Sequence, residues 1–453
     1  MITHMIKLSD IKQTYYRFDA SYHLSDGVTS RRIIENIPYR KFRIDDITSR
    51  IFYGVRANRT YVTNKNNSIP FLTGADIMLA DLRNTKLVSK KFTPAIDEMT
   101  LHKGWVLVTR SGTVGQTAWS NLQYEGKYGS EDIIRLIPNE KIKGGLLYAY
   151  LASKYGQSLL TQGSFGAVIQ HIEPSYVGSL SIPEFPTEFQ EQVHDLVQTA
   201  ATLREDADNL LYEATNYFDE KIRVSEITTL CFSKKLKSLK DSWASYNNNK
   251  EVSDGLLQYK TSSFQLKDVT SKIFAPPMFK HIYLSKDNGY PFLTGGELVK
   301  QCMRYYRWLS PRGVKNIKDY IVKKNTLLIY RHGSIDGGMN GQTFIVDDRL
   351  DGCCLSDLII RVVFNEPDLA LWTFAFLKST FGKRYLLSFP SGTAIPFMAV
   401  DRVAKAYIPQ PDDNYQRIIT LVKNYQAKSA KSKELEIKAI ELVEKEIEKW
   451  NKN

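Results

Sequence analysis

Apolar residues alternate along the chain between two regimes. Short runs rich in β-branched and aromatic residues come first: ITSRIF (47–52), WVLVTR (105–110) and DIIRLI (132–137). The same kind of run returns later as TLLIY (326–330), TFIV (343–346) and LIIRVV (358–363). Turn residues bound them, so they read as strands of a curved or barrel-like sheet. After each set, apolar residues at helical spacing predict one helix, over 145–160 and again over 369–387. A short loop and a strand ending in Pro183 or Pro409 close each globule.

The period then changes to that of a heptad. Phe189, Val193, Leu196, Ala200, Leu203, Ala207, Leu210 and Ala214 step by four and three. Near the end of the chain Tyr415, Ile419 and Val422 begin a second seam. It turns polar over 427–433 and resumes with Ile440, Val443, Ile447 and Trp450. Thr187 and Asp413 are placed as N-caps, each with a glutamine three residues on (Gln190, Gln416), as in a capping box. Each helix should run about 35 residues, roughly 50 Å. Amphipathic helices of that length need a partner. The expectation is an antiparallel coiled coil with Phe189, Val193, Leu196, Leu203, Leu210, Ile419, Val422, Ile440, Val443 and Ile447 at its interface. The alternative is that each helix lies on its own globule.

The two regimes repeat because the chain is a tandem duplication with an offset of roughly 220 residues. FRIDDITSRIF (42–52) matches FQLKDVTSKIF (264–274), and PFLTGADI (70–77) matches PFLTGGEL (291–298). WVLVTRSGTVGQT (105–117) matches TLLIYRHGSIDGGMNGQT (326–343), with five extra residues in the second loop. SEDIIRL (130–136) matches SDLIIRV (356–362), and SFGAVI (164–169) matches PSGTAI (390–395). The entry segments agree as well, Ala20-Ser21-Tyr22 against Ala244-Ser245-Tyr246. The expected organisation is therefore α+β. A recognition globule over 1–186 precedes a spacer helix over 187–224. A linker and second globule over 225–411 precede a C-terminal spacer helix over 412–453. The Lys- and Asn-rich stretch 231–250 reads as an exposed join.

Composition narrows the partner. The formal charge of +12 on 453 residues points to a polyanion, either nucleic acid or an anionic membrane surface. No stretch approaches the ~18 apolar residues of a membrane span. The first ten residues lack the apolar core of a signal peptide, so a cytoplasmic location is expected. The four cysteines (Cys231, Cys302, Cys353, Cys354) form no C-x-x-C pair and the seven histidines no metal-binding spacing, so no metal site is expected.

No nucleotide-binding loop, methyltransferase tetrapeptide or nucleophile elbow is present. Asp412 and Glu436-Ile437-Lys438 imitate a PD…ExK nuclease pattern. On one helix those carboxylates would lie roughly 36 Å apart, too far to share a metal ion. The polar loops fit binding better. Arg110, Ser111, Gly112, Thr113 and Gln116 in the first copy match Arg331, His332, Ser334 and Gln342 in the second. Glycine lets a phosphate approach the backbone, hydroxyls and amides donate to it, and an arginine can take a guanine edge bidentately. Ser164, Gln170 and His171, and in the second copy Ser391 and Thr393, are similar in kind.

Taken together, the PFLTG-(A/G)-(D/E) block, the strand followed by R-S-G-T-V-G, the S-x-D/E-x-I-I-R strand, and the run from Ile182-Pro183 through Phe185-Pro186 to Gln192 carry a family likeness. The chain resembles the specificity (S) subunits of Type I restriction-modification systems. That resemblance implies two target recognition domains, each reading one half of a split DNA sequence, joined by a coiled coil of spacers. It implies double-stranded DNA as ligand, two methyltransferase (M) subunits and two restriction (R) subunits as partners, and no catalytic residue here. S-adenosylmethionine, ATP and Mg would belong to the partners, and no cofactor to this chain. The second copy departs from the pattern at the insertion 336–340 and at Pro396, which replaces the equivalent of Gln170. Two other readings remain open. One is the specificity chain of a combined methyltransferase-nuclease. The other is a repeat scaffold that binds proteins or RNA.

Overall fold

The computed structural model describes residues 6, 8, 11, 18–63, 66–83, 85–93, 97–165, 170–223, 233, 244–302, 304, 307–335, 338–392 and 394–450. It divides into two compact units, Met1–Glu205 with Lys431–Asn453, and Asp206–Ala430.

In the first unit a helix, α1 (Asp26–Asn36), precedes ten strands. They are β1 (Lys41–Arg43), β2 (Thr48–Tyr53), β3 (Tyr61–Val62), β4 (Ser68–Leu72), β5 (Lys86–Ser89), β6 (Val106–Thr109), β7 (Thr117–Trp119), β8 (Tyr128–Gly129), β9 (Ile133–Pro138) and β10 (Ser181–Pro183). Between the last two lie α2 (Gly144–Ala152), α3 (Lys154–Gln162) and α4 (Pro174–Ser179), and α5 (Thr187–Lys221) follows, its residues from Asp206 on belonging to the second unit. The strands form two four-stranded sheets, ordered β2-β9-β6-β7 and β3-β5-β4-β8, and a two-stranded β1-β10 pair. Neighbours are antiparallel except β4 and β8, which pair parallel with Phe71 opposite Tyr128.

The second unit repeats this plan. Helix α6 (Lys250–Tyr259) precedes β11 (Ser263–Gln265), β12 (Thr270–Phe274), β13 (Tyr283–Leu284), β14 (Tyr290–Leu293), β15 (Trp308–Leu309), β16 (Leu327–Tyr330), β17 (Thr343–Ile345), β18 (Cys354–Leu355) and β19 (Ile359–Phe364). Then come α7 (Pro367–Lys378), α8 (Thr380–Leu386), α9 (Val400–Ala404), β20 (Tyr407–Pro409) and α10 (Tyr415–Lys449), whose residues from Lys431 on belong to the first unit. Its sheets are β12-β19-β16-β17, β13-β15-β14-β18 and β11-β20.

Alternation along the central strands explains their unbroken apolar runs. In the second unit Leu327, Ile329, Ile360 and Val362 pack with α7, while Leu328 and Ile359 point the other way and pack with Leu293 and Leu355 of the second sheet. Both faces are covered, so both sets of alternate positions are apolar.

The single helix expected over 145–160 is two, and so is its counterpart over 369–387. Ser153 and Ser379 take an extended conformation and N-cap the following helix, accepting from Gly156 N and Gly382 N at 3.2 and 3.0 Å. The same hydroxyls donate back to Tyr150 O and Phe376 O. A serine that bonds to both helices breaks the chain direction without breaking the apolar periodicity.

The two long helices each span 35 residues. In the second unit, Lys221 pairs with Asp412, Glu213 with Arg417 (2.7 Å) and Asp206 with Lys428 (2.6 Å), the order of an antiparallel pair. In the first unit Ser432 Oγ donates to Ala200 O at 2.6 Å, and Arg204 pairs with Glu436 at 2.5 Å. Carboxylates from these helices also cap the globules. Glu444 accepts from Lys154 N at 2.7 Å at the start of α3, and Asp219 accepts from Thr380 N and Phe381 N at 3.1 and 3.2 Å at the start of α8. Each places negative charge at the positive end of a helix.

The seam on α5 needs correction. Val193, Ala200, Ala207 and Ala214 are buried, but the alternate line is Val197, Arg204, Leu211 and Phe218. Leu196, Leu203, Leu210 and Phe189 are half-buried beside it. The most buried stripe includes a charged residue, Arg204, so the unbroken apolar spacing falls one position away from it. On α10 the expected Ile419, Val422, Ile440, Val443 and Ile447 are all buried, and so are the polar Ser432 and Glu436 where the apolar pattern lapses. The expected N-cap at Asp413 is also displaced. The helix begins at Tyr415, after a turn in which Asp412 accepts from Asn414 N at 3.0 Å. Thr187 does open α5, but Gln190 Nε2 donates to Phe185 O at 2.9 Å, so no reciprocal capping box forms.

Glu436 is 2% exposed, holding Arg204 through one carboxylate oxygen and the Tyr148 hydroxyl through the other. Removing one member strands a buried charge, whereas removing both does not. Glu436→Leu should therefore cost about 3–5 kcal/mol in urea unfolding, and Glu436→Leu with Arg204→Met should recover most of it. Equal losses from the single and double variants would contradict this.

Candidate nucleic-acid interface

In the first unit the expected site residues come from three stretches of chain, which hydrogen bonds bring to one place. Arg110 follows β6. Its N–H donates to Asp132 O at 2.8 Å, and its carbonyl accepts from Ile172 N at 3.0 Å. It therefore sits between the segment that enters β9 and the segment that leaves α3. Ser111 forms a bridge with His171, which pairs in turn with Phe165 through bonds of 2.9 and 2.8 Å. The Ser111 hydroxyl also bonds the Asp132 carboxylate. Gly112 turns the chain with a φ of +74°, a conformation that costs little only without a Cβ. Thr113 is exposed, and its carbonyl accepts from Thr109 Oγ1. Gln116 is half-buried and its N–H donates to the same hydroxyl at 2.9 Å. Ser164 is half-buried and Gln170 exposed.

The second unit builds the same frame with other side chains. Arg331 N donates to Leu358 O at 3.0 Å, and Arg331 O accepts from Met398 N at 2.8 Å. His332 bridges Phe397, which pairs with Ser391 at 2.9 and 2.8 Å. Gly333 has a φ of +110° and donates to Pro396 O at 3.3 Å. Pro396 supplies a carbonyl here, which a proline can do as well as a glutamine. Asn340, inside the insertion, donates to Gly333 O and Pro396 O at 3.2 and 3.0 Å and ties the longer loop down. Ser334 is exposed, Gln342 half-buried, and Thr393 lies outside the described residues. Burial, then the charge of Arg331, hold the His332 imidazole below its ordinary value, so it is neutral near pH 7.

Both arginines are engaged by neighbours that sequence reading missed. Arg110 pairs with Glu173 at 2.6 Å and lies over the ring of Tyr53 at 4.2 Å. Arg331 lies over Phe397 at 5.9 Å. Asn247 was also missed. It falls in the stretch read as an exposed join, most of which lies outside the described residues, yet it is buried and donates to Ser388 O and Pro390 O, each at 2.7 Å.

Beneath each loop lies an arginine inside the apolar run. Arg135 of β9 is fully buried and donates to Gly129 O (2.7 Å), Ser130 O (3.2 Å) and Ile133 O (2.7 Å). Arg361 of β19 does the same to Leu355 O (2.8 Å), Ser356 O (2.9 Å) and Ile359 O (2.5 Å). Burial lowers these guanidinium groups to about 10 and about 9, still far enough above neutrality to stay charged. Each fastens the crossing from the second sheet to the first, and that crossing supplies the carbonyl that holds Arg110 or Arg331. The signal was in the sequence, as an Ile-Ile-Arg in both copies where a covered strand should carry only apolar residues.

The nuclease imitation has no site. Asp412 is bound to Tyr217 and Lys221, and Glu436 to Tyr148 and Arg204. Among the described residues no group of three or more His, Cys, Asp or Glu could hold a metal ion. No described helix is long and apolar enough to cross a membrane.

A family model for the Type I restriction modification DNA specificity domain matches the chain twice, over residues 36–199 and 260–441. The chain belongs to this family. Each match falls on one sheet-and-loop globule and runs into the long helix after it, so the specificity-domain repeat is the structural repeat described above. Solved structures with similarity include the S subunit of a Type I restriction-modification system from M. genitalium, at 13% identity over 90% of this chain and 94% of that one, with a TM-score of 0.32. The HsdS subunit of Thermoanaerobacter tengcongensis is 14% identical over 90% and 97%, with a TM-score of 0.29. A chain from a study of complex assembly in the type I R-M system is 15% identical over 92% and 98%, at 0.28. No curated protein matches. The assignment rests on the double family match.

Arg135→Met keeps the bulk but takes the guanidinium donor from the buried carbonyls of Gly129 and Ile133, at ~1–3 kcal/mol each before relief of the buried charge, while Ser130 O keeps its bond from Ile133 N at 3.3 Å. The expected net loss is on the order of 3 kcal/mol, read by thermal or urea unfolding. Amide exchange should also quicken at Arg110 and Ser111. A variant as stable and as protected as the parent would show that the guanidinium does not position the loop.

Proposed function

We propose that this chain is the non-catalytic DNA-specificity subunit of a restriction-modification enzyme, reading a bipartite, asymmetric duplex target. Membership of the specificity-domain family supports it. The observation that carries it further is that the two units keep one hydrogen-bond frame and vary what the frame displays. Ser111, Phe165, His171 and Glu173 stand where the second copy has His332, Ser391, Phe397 and Ala399. Two readers alike in backbone and unlike in side chains suit two different half-sites.

On this reading, residues 1–186 and 225–411 are the target recognition domains, and 187–224 and 412–453 are spacers. The DNA contacts come from Arg110, Ser111, Gly112, Thr113, Gln116, Ser164, Gln170 and His171 in one domain. In the other they come from Arg331, His332, Ser334, Gln342, Ser391 and Thr393. The spacers dock two adenine methyltransferase subunits, which bind S-adenosylmethionine. Two restriction subunits complete the enzyme with ATP and Mg. The chain itself binds no cofactor, and the complex works in the cytoplasm against foreign DNA such as that of phage. The formal charge of +12 supports a duplex partner.

Mapping methylated adenines in a host with and without this chain tests the reading. A split motif present only with the chain is expected; identical methylation in both hosts would refute it. Arg110→Ala should relax or abolish one half of that motif and leave the other intact. Deleting one heptad from both long helices shortens each by ~10 Å, about three base pairs of rise. The gap between half-sites should shrink to match, and an unchanged gap would remove the spacer role.

A further inference from the structure

We infer that Glu173 is a specificity-positioning residue. It neutralises and orients Arg110 so that this arginine reads a base edge, while its counterpart Arg331 serves the phosphate backbone. The inference rests on the DNA-specificity reading above and goes beyond it in giving two equivalent arginines different tasks.

The two arginines share their backbone bonds, so the difference lies in what surrounds the guanidinium. Arg110 Nη2 donates to Glu173 Oε1 at 2.6 Å, and its Cζ lies over the Tyr53 ring, 4.2 Å from the centroid. Its side chain is 17% exposed. Glu173 directly precedes α4, and the bond from Ile172 N to Arg110 O fixes the carboxylate's segment beside the arginine. Pairing Ile172 with Met398 places Ala399 at the position of Glu173 in the second unit. There Arg331 has the Phe397 ring at 5.9 Å, and among the described residues no carboxylate lies within 4.0 Å of it.

Charge and entropy then separate the tasks. An arginine already paired with a carboxylate carries little net attraction for a phosphate, so it displaces few counterions on binding. It still has N–H donors, and fixing them before DNA arrives lowers the cost of ordering a long side chain. Fixed donors with little net charge suit a guanine edge, where direction matters more than charge. An arginine with its charge intact and an aromatic wall suits a phosphate, where charge matters more than direction.

The test uses the full chain with its co-purifying subunits. Affinity is measured for the cognate duplex and for duplexes changed one base pair at a time, across a range of salt. Glu173→Gln should lower discrimination at one base pair of one half-site by roughly tenfold. Arg110→Ala should lose the same discrimination with an unchanged salt slope, and adding Glu173→Gln to it should cost nothing more. Arg331→Ala should instead weaken all duplexes alike and reduce the salt slope by about 0.9. Thermal unfolding of each variant separates these effects from loss of fold. Additive losses from Glu173→Gln and Arg110→Ala, or a parental base preference in Glu173→Gln, would overturn the assignment. A parent complex that shows no preference among duplexes would instead remove the specificity reading beneath it.

Discussion

Each globule depends on one guanidinium placed where water cannot reach it. Arg135 and Arg361 lie inside their units between two sheets, and the terminal N–H groups of each bond three carbonyls of the crossing from one sheet to the other, with Met99 O a fourth acceptor for Arg135 at 3.5 Å. A buried charge with no carboxylate bonded to it is expensive, and carbonyl dipoles offset that cost only if they converge. The arrangement therefore tolerates little movement in the crossing. Residues 130–132 and 356–358 belong to that crossing, and they carry the carbonyls that hold the backbone of Arg110 and Arg331. Rigidity passes from a buried polar group to an exposed loop through a single strand entry.

The loops show how such a frame can vary its display. Backbone bonds set the positions of Ser111 and His171, and of His332 and Phe397, whatever side chains they carry. The five-residue insertion in the second copy leaves that frame intact because Asn340 bonds back onto Gly333 and Pro396. Side chains in the frame can then change without unsettling the core. The long helices follow a similar economy within each unit. Among their buried polar residues, Arg204 and Glu436 bond each other, Glu436 also accepts from the Tyr148 hydroxyl, and Ser432 donates to a backbone carbonyl.

Much was legible in the sequence, for physical reasons. The duplication, the strand positions and the two long helices all follow from periodicity, which records which faces are covered. The loop residues around Arg110 and Arg331 were legible as candidates because glycine and hydroxyl residues beside a strand mark a turn that something can approach. What periodicity could not carry was any polar group placed in the interior. Arg135 and Arg361 passed as strand residues. Arg204 pushed the predicted seam on α5 from Val197, Leu211 and Phe218 to Leu196, Leu203 and Leu210. Ser153 and Ser379 hid a break between two helices because they preserve the apolar spacing on either side.

The sequence by itself determined that there are two copies of one α+β module, each followed by a long amphipathic helix, and that their polar loops differ. Local pattern suffices for that, since a covered face must be apolar wherever the rest of the chain runs. Only the tertiary structure decided what holds the loops and what their arginines touch. Glu173 is 63 residues from Arg110, Asn247 is 141 from Ser388, and Arg204 is 232 from Glu436. Bonds over such separations leave no periodic trace, because they depend on the folded path bringing one donor and one acceptor within 3 Å.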